Sequence, residues 1–296
     1  MHLFLLMLQL VPILWLPPAS AFKSGQNPPM ALPGCNQTCG EVLIPFPFGI
    51  GSTCSHNIDY EIVCNTSSHI PRPFLRNLSI EVEEIRLRPQ VLTVRTTPQI
   101  VCASSNGGKN IVASSVGSID LVGSPYRFSM YDNVFMVEGC SGIVTLKDRS
   151  GEILTGCGSF CLNDTDDGKM PYCDHRYGIG CCQRNLGLKG GLDFYQIGLN
   201  ESTPSKNSHA CHIVASLVDS ELQVNFAGRL SRVKAVPTVL EWNITGVPVN
   251  NLSQCESYSN GFYCSCQFFF GEGNPYLPDG CLGKAMPLAA CIHDFY

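Results

Sequence analysis

Short alternations of apolar and polar residues run through the middle of the chain, with the period of two that marks half-buried strands. "LSIEVEEIRLRPQVLTVRTT" predicts three short strands, at 78–82, 85–88 and 91–96, and the alternation is clearest in "EIRLR" and "LTVRT". "FMVEGC", "GIVTL" and "HIVASLV" continue the theme further along. No long stretch combines helix caps with a 3.6-residue period. One short helix is expected, within "CHIVASLVDSELQVNF". The expected fold is mainly β, with short strands and little helix.

The stretch "IPFPFGIGSTC" departs from this pattern. Pro45 and Pro47 remove backbone donors and fix φ, so the segment suits neither a helix nor a central strand. Gly49 and Gly51 suit a tight turn after it. Phe46 and Phe48, two apart, share one side of an extended backbone. They are candidates for stacking on sugar rings, against the reading of a structural corner held by flanking cysteines, which the prolines favour.

The chain opens on an apolar run at residues 3–16, followed by Ala19-Ser20-Ala21, the form of a cleavable secretory leader. The run is shorter than the roughly 20 apolar residues of a membrane span. All seventeen cysteines follow it. In a secreted chain they are expected to be mostly disulfides. Sixteen are candidates: Cys35, Cys39, Cys54, Cys64, Cys102, Cys140, Cys157, Cys161, Cys173, Cys181, Cys182, Cys211, Cys255, Cys264, Cys266 and Cys281. Neighbours Cys181 and Cys182 are expected to take different partners, and Cys291 is the candidate for the unpaired thiol. Sequons at Asn36, Asn65, Asn77, Asn163, Asn200, Asn243 and Asn251 point to a glycosylated surface.

Charged residues make up 15% of the chain and the formal net charge is −5, which argues against nucleic acid. The organisation expected is a signal peptide at residues 1–21, a flexible leader at 22–34, a β module at 35–140, a cysteine-rich region at 141–250, a cysteine-bearing segment at 251–281 and a tail at 282–296.

Several motifs together carry a resemblance. "GCNQTCGEVLIPFPFGIGSTC" followed by "YEIVC" resembles the start of the galacturonan-binding extracellular region of plant wall-associated receptor kinases. "FSMYDNVFMVEGC" is similar to the close of that module. "GCGSFC" and "YGIGCCQ" resemble the cysteine-rich portion that follows, and "GFYCSCQFFFGEGNPYLPDGC" resembles an EGF-like ending. The resemblance spans residues 35–281. Two departures stand out: the C-terminal set offers five cysteines (Cys255, Cys264, Cys266, Cys281 and Cys291) where an EGF unit has six, and "LGKAMPLAACIHDFY" replaces the calcium-binding signature expected after the ending. The sequence contains no kinase Gly-rich loop, V-A-I-K or H-R-D, and no hydrolase or metalloprotease motif. The expectation is a non-enzyme.

The resemblance implies non-catalytic binding of cell-wall pectin, a polymer with a carboxylate on each unesterified sugar. Arginine forks suit carboxylates. The basic residues between Cys35 and Cys102 are Arg72, Arg76, Arg86, Arg88 and Arg95, of which Arg86, Arg88 and Arg95 are expected to form a row across two strands. Glu81, Glu83 and Glu84 offer the competing reading, cross-strand ion pairs with no ligand. No cofactor is expected, apart from calcium as a bridge between protein and polymer carboxylates. "NDTDDG" (163–168) lacks the downstream glutamate of a calcium loop, and a zinc site at "HACH" (209–212) competes poorly with a disulfide at Cys211. The alternative class is a secreted protein-interaction or decoy module acting on full-length receptors or other extracellular proteins; a pectin-acting hydrolase ranks below both. The expected location is the extracellular space and cell wall, or the plasma membrane for a longer anchored form.

Overall fold

The computed structural model describes residues 28–102, 105–106, 109–110, 113–114, 119–139, 142–159, 173–174, 177–186, 191–200, 213–221, 230–244, 253–258, 261–266, 272–278 and 280–282. Of the described residues, 51% are strand and 3% helix, and none lies in a helix of seven residues or more, which meets the expectation of a β protein. Among the described residues no helix is long and apolar enough to cross a membrane. The expected leader at 1–21, the calcium-loop and zinc candidates and Cys291 lie outside the described residues.

Seven strands form the larger sheet. In spatial order they are Tyr126–Phe128, Val236–Trp242, Val91–Thr96, Ile80–Arg86, Arg72–Leu75, Glu61–Asn65 and Gly49–Ile50. All neighbours are antiparallel except the last pair. A five-stranded antiparallel sheet runs Ala113–Ser114, Gln99–Cys102, Ile213–Asp219, Asn133–Glu138 and Cys181–Asn185. A third sheet has three strands, Ile153–Ser159, Gly142–Lys147 and Gln196–Asn200. Strand pairing runs across residue 140: Val236–Trp242 inserts between two strands of the 35–140 span, and Ile213–Asp219 does the same in the second sheet. The first two expected spans therefore share both sheets.

Two of the three strands expected between residues 78 and 96 are one. Ile80, Val82 and Ile85 are all buried, although an unbroken strand would turn Val82 and Ile85 to opposite faces. The register slips between Val82, opposite Val94, and Glu84, opposite Thr93; the extra residue, Glu83, restores the phase. The strand ends at Arg86, and residues 87–90 form a turn through the cis peptide Arg88–Pro89. The strand expected at "HIVASLV" is present as Ile213–Asp219, buried at all seven positions between neighbours on both sides, and residues 222–226, the end of the stretch in which a short helix is expected, lie outside the described residues.

Buried polar side chains stitch the sheets together. Asn133 donates to the carbonyls of Ser129 (2.8 Å) and Val239 (2.7 Å), and its Oδ1 accepts from the Val239 N–H at 2.8 Å. The Thr96 and Thr238 hydroxyls are 2.6 Å apart, and Thr238 donates to the Leu217 carbonyl in the second sheet. Phe128, Ser129, Asn133 and Phe135, the motif residues of "FSMYDNVF", are all buried, so this motif is structural.

The "IPFPFG" corner packs under Trp242. Phe48 lies edge-on to Tyr60 (5.4 Å between centroids) and to Trp242 (5.3 Å), and Trp242 contacts Tyr276 at 5.7 Å. The polar ends find backbone partners: Trp242 Nε1 donates to the Arg86 carbonyl, the Tyr126 hydroxyl to the Asp59 carbonyl, and the Tyr60 hydroxyl to the Asn243 carbonyl. Gly49 allows this corner, since a Cβ there would sit 2.0 Å from the Cys54 carbonyl oxygen.

Asn274, from "GNPYL", closes the corner from the other end of the chain. Its amide donates to the carbonyls of Met30 (2.8 Å) and Phe46 (2.7 Å), and its Oδ1 accepts from the Tyr276 N–H at 3.0 Å. A Cβ on Gly280 would lie 1.9 Å from the Asn274 carbonyl oxygen, so this loop needs the glycine. The clamp corrects the expected flexible leader over residues 28–34. Met30 accepts both the Asn274 amide and the Phe46 N–H, and Ala31 is buried.

Six disulfides join Cys35 to Cys54, Cys39 to Cys64, Cys157 to Cys182, Cys173 to Cys181, Cys255 to Cys264 and Cys266 to Cys281. Cys181 and Cys182 thus take different partners. The side chains of Cys102, Cys140, Cys161 and Cys211 lie outside the described residues.

Two outcomes follow from this packing. Asn274→Ala strands the buried Phe46 carbonyl and the Tyr276 N–H, removes one of the two bonds to the Met30 carbonyl, and should cost about 2–4 kcal/mol. Denaturant unfolding would show it through Trp242, the only tryptophan beyond residue 15. Burial also pushes the phenols of Tyr60, Tyr126 and Tyr276 well above the usual 10.0, and that of Tyr195 up to about 12. The folded state holds these protons more tightly than the unfolded chain. Stability should therefore be unaffected by these groups below about pH 10 and fall as pH rises through the folded values. In a phenolate absorbance titration, the four buried phenols should ionise only with unfolding.

Candidate ligand-binding face

Register decides which charged residues meet. Leu92 and Val94 point into the core, so Thr93 and Arg95 take the opposite face, together with Glu84 and Arg86 from the neighbouring strand. Pairing extends the row laterally: Arg86 is opposite Val91, Val91 opposite Glu241, and Glu241 opposite Arg127. Glu81 pairs with Phe74 and Phe74 with Val63, which brings Arg72 beside Glu81.

Four of the five candidate arginines hold a carboxylate. Arg72 meets Glu81 at 3.3 Å, Arg76 meets Glu61 at 2.7 Å, and Arg86 meets Glu84 at 3.0 Å and Glu221 at 3.7 Å. Arg95 pairs with Glu83 and also donates to the Ala235 carbonyl. Burial works against the charge on Arg86, but the hydrogen bond and charge of Glu84, then Glu221 and Asp219, more than offset it and raise its pKa. Arg88 is exposed in the turn and makes no ion pair among the described residues.

The expected row of Arg86, Arg88 and Arg95 is therefore corrected. Arg88 lies outside the strand. Arg95 is four residues along from Val91, the partner of Arg86, a separation of about 13 Å. Glu83 and Glu84 stand between them, so the face alternates in charge. Ion pairs with Glu81 and Glu83 form across strands as expected, the Glu84 pair with Arg86 lies within one strand, and Arg76–Glu61 and Arg86–Glu221 add to them.

The pairs differ in kind. Glu61 is 5% exposed, so Arg76 neutralises a buried carboxylate and serves the fold. Arg72 and Glu84 are more than half exposed, so their pairs contribute little to stability. Phe46 and Phe48 are 7% and 0% exposed; enclosed by Trp242, Tyr60 and the Asn274 loop, they offer no ring face to a sugar. Arg127, beside Glu241, escaped the sequence reading because only the distant Val236–Trp242 strand brings it into this face. Burial raises the Glu241 pKa, and the charge of Asp132 adds to it. Among the described residues, no group of three His, Cys, Asp or Glu side chains is placed to hold a metal ion.

Comparison with known proteins follows this geometry. Residues 35–96, which supply most of the charged face, match the family model described as wall-associated receptor kinase galacturonan-binding. Wall-associated receptor kinase-like 6 of Arabidopsis thaliana is 28% identical over 291 residues, covering 84% of this chain and 44% of that protein. Wall-associated receptor kinase-like 1 is 31% identical over 297 residues (84% and 38%), and wall-associated receptor kinase 2 is 28% identical over 268 residues (83% and 34%), both from the same plant. The chain spans less than half the length of these curated relatives. No solved structure matches it. The chain thus carries a wall-associated receptor kinase galacturonan-binding domain at residues 35–96 and is homologous to the wall-associated receptor kinase-like proteins of Arabidopsis thaliana.

Proposed function

We propose that this chain is an extracellular, non-catalytic module that binds de-esterified pectin in the plant cell wall. The observation that carries the reading is the galacturonan-binding domain at residues 35–96, a binding domain and not a catalytic one. The charged face supplies a chemistry for it. A polygalacturonate strand offers carboxylates that exchange with Glu81, Glu83 and Glu84 as partners of Arg72, Arg95 and Arg86. Exposed ion pairs are worth about 0–1 kcal/mol, so the exchange costs little. Arg88, exposed in the adjoining turn, adds a cation with no partner to displace among the described residues. Arg76 takes no part, because its release would leave Glu61 charged and buried.

Calorimetric titration with oligogalacturonides at low and high salt, beside a neutral glucan, tests the reading. Saturable binding that weakens with salt and is absent with the glucan is expected. Arg86→Gln and Arg95→Gln should each weaken it by about 1.5 kcal/mol, roughly tenfold in Kd. Glu84→Gln, which frees Arg86 from its internal partner, should tighten it. Equal binding of the neutral glucan, or no saturable binding at either salt, would overturn the proposal.

A further inference from the structure

Four sequon asparagines have described side chains, Asn36, Asn65, Asn77 and Asn243, and their surroundings differ. Asn36 is exposed in the loop between Cys35 and Cys39. Asn65 ends the Glu61–Asn65 strand, exposed, and its Oδ1 accepts from the Ser67 N–H at 2.9 Å. That bond engages the oxygen of the amide and leaves its nitrogen to solvent. Asn77 is exposed in the turn after Arg72–Leu75, and its Nδ2 donates one hydrogen to Asp59 Oδ1 at 2.7 Å. A glycosylated amide keeps one N–H, so this bond and a sugar can coexist.

Asn243 is placed otherwise. Its N–H donates to the Pro125 carbonyl at 3.1 Å, and its carbonyl accepts the Tyr60 hydroxyl. The Gly261 backbone presses on its side chain, so that a Cβ on Gly261 would sit 3.1 Å from the Asn243 Cβ. Asn243 is half-buried at the seam where the Gly261–Cys266 strand meets the large sheet, next to the Ile244–Phe262 bridge. A bulky sugar attached before folding would hold this seam open.

Asn65 also lies at an open sheet edge. Beyond Glu61–Asn65 the sheet continues only as Gly49–Ile50, which pairs with Glu61 and Ile62. Val63 to Asn65 have no strand neighbour on that side among the described residues, and the Val63 side chain is 39% exposed. Asn65 is the last residue of this open stretch, whereas Asn77 lies on the other side of the strand, in the turn after the paired Arg72–Leu75. Open apolar edges invite pairing with another chain, and bulky or charged groups block it.

We propose that Asn36, Asn65 and Asn77 carry N-linked glycans while Asn243 stays unmodified, and that the glycan on Asn65 closes this edge against a second copy of the chain. The proposal rests on the extracellular reading but not on pectin as the ligand; a failure to bind pectin leaves it intact.

The test is peptide mass spectrometry of the full chain secreted from eukaryotic cells, after enzymatic release of glycans in heavy-oxygen water. Modification at residues 36, 65 and 77, with unmodified Asn243, is expected. A folded secreted protein glycosylated at Asn243, or bare at any of the other three, overturns the assignment. Sedimentation then tests the edge, using both Asn65→Gln and wild-type protein deglycosylated after folding. The stripped forms should self-associate at least tenfold more tightly than the glycosylated protein, and Val63→Lys in the stripped background should reverse this. Identical sedimentation of stripped and glycosylated protein overturns the edge role.

Discussion

The aromatic cluster around Trp242 is the contact on which the rest of the structure depends. Every described disulfide is local, closing between 8 and 25 residues. None ties the N-terminal, central and C-terminal cysteine groups to one another. Long-range cohesion among the described residues is therefore non-covalent. Phe48 and Tyr60 come from the start of the chain, Trp242 from a strand near its end, and Tyr276 from the last described loop. Each edge-on aromatic pair contributes about 0.5–1.5 kcal/mol beyond its burial. The disulfides stiffen three segments by restricting their unfolded states, while the Trp242 cluster, the Asn274 clamp and the Asn133 and Thr238 bonds determine how those segments meet.

That division of labour accounts for the motifs. "IPFPFGIG", "FSMYDNVF" and "GNPYL" stand far apart in sequence, yet the first and third touch through Asn274, and the second pins the strand that carries Trp242. Their special residues maintain the meeting point of the sheets and leave the charged sheet face free to vary. On that face arginines and glutamates alternate. The net field is weak, and recognition of a polyanion there depends on local exchange of carboxylates more than on long-range attraction.

Much of the fold was legible along the chain because strand alternation is a local signal. Val91–Thr96 falls at the bounds its pattern predicts. The pattern failed at Glu83, where a bulge shifts the phase by one residue. It is set by the partner strand, and no local period reports it. The strand expected at "HIVASLV" is present as Ile213–Asp219, and its run of buried positions reflects a central place in its sheet. Sharing of sheets across residue 140 was hidden because the pairing of Val236–Trp242 with Val91–Thr96 joins residues more than a hundred positions apart.

For the candidate site, residue types alone named both the arginines and their competing glutamates, since opposite charges in one β segment come within reach along a strand (Arg86 and Glu84) or across neighbouring ones (Arg72 and Glu81, Arg95 and Glu83). Sequence by itself determined the β character and the cysteine-rich class, which rest on period and composition, and the family resemblance, which rests on the quoted motifs. Tertiary structure decided that Arg76 belongs to the fold, that Arg88 leaves the row, that Arg127 joins the face, and that Phe46 and Phe48 are core. Those outcomes depend on which distant backbone lies against each side chain, and a linear pattern carries no record of that.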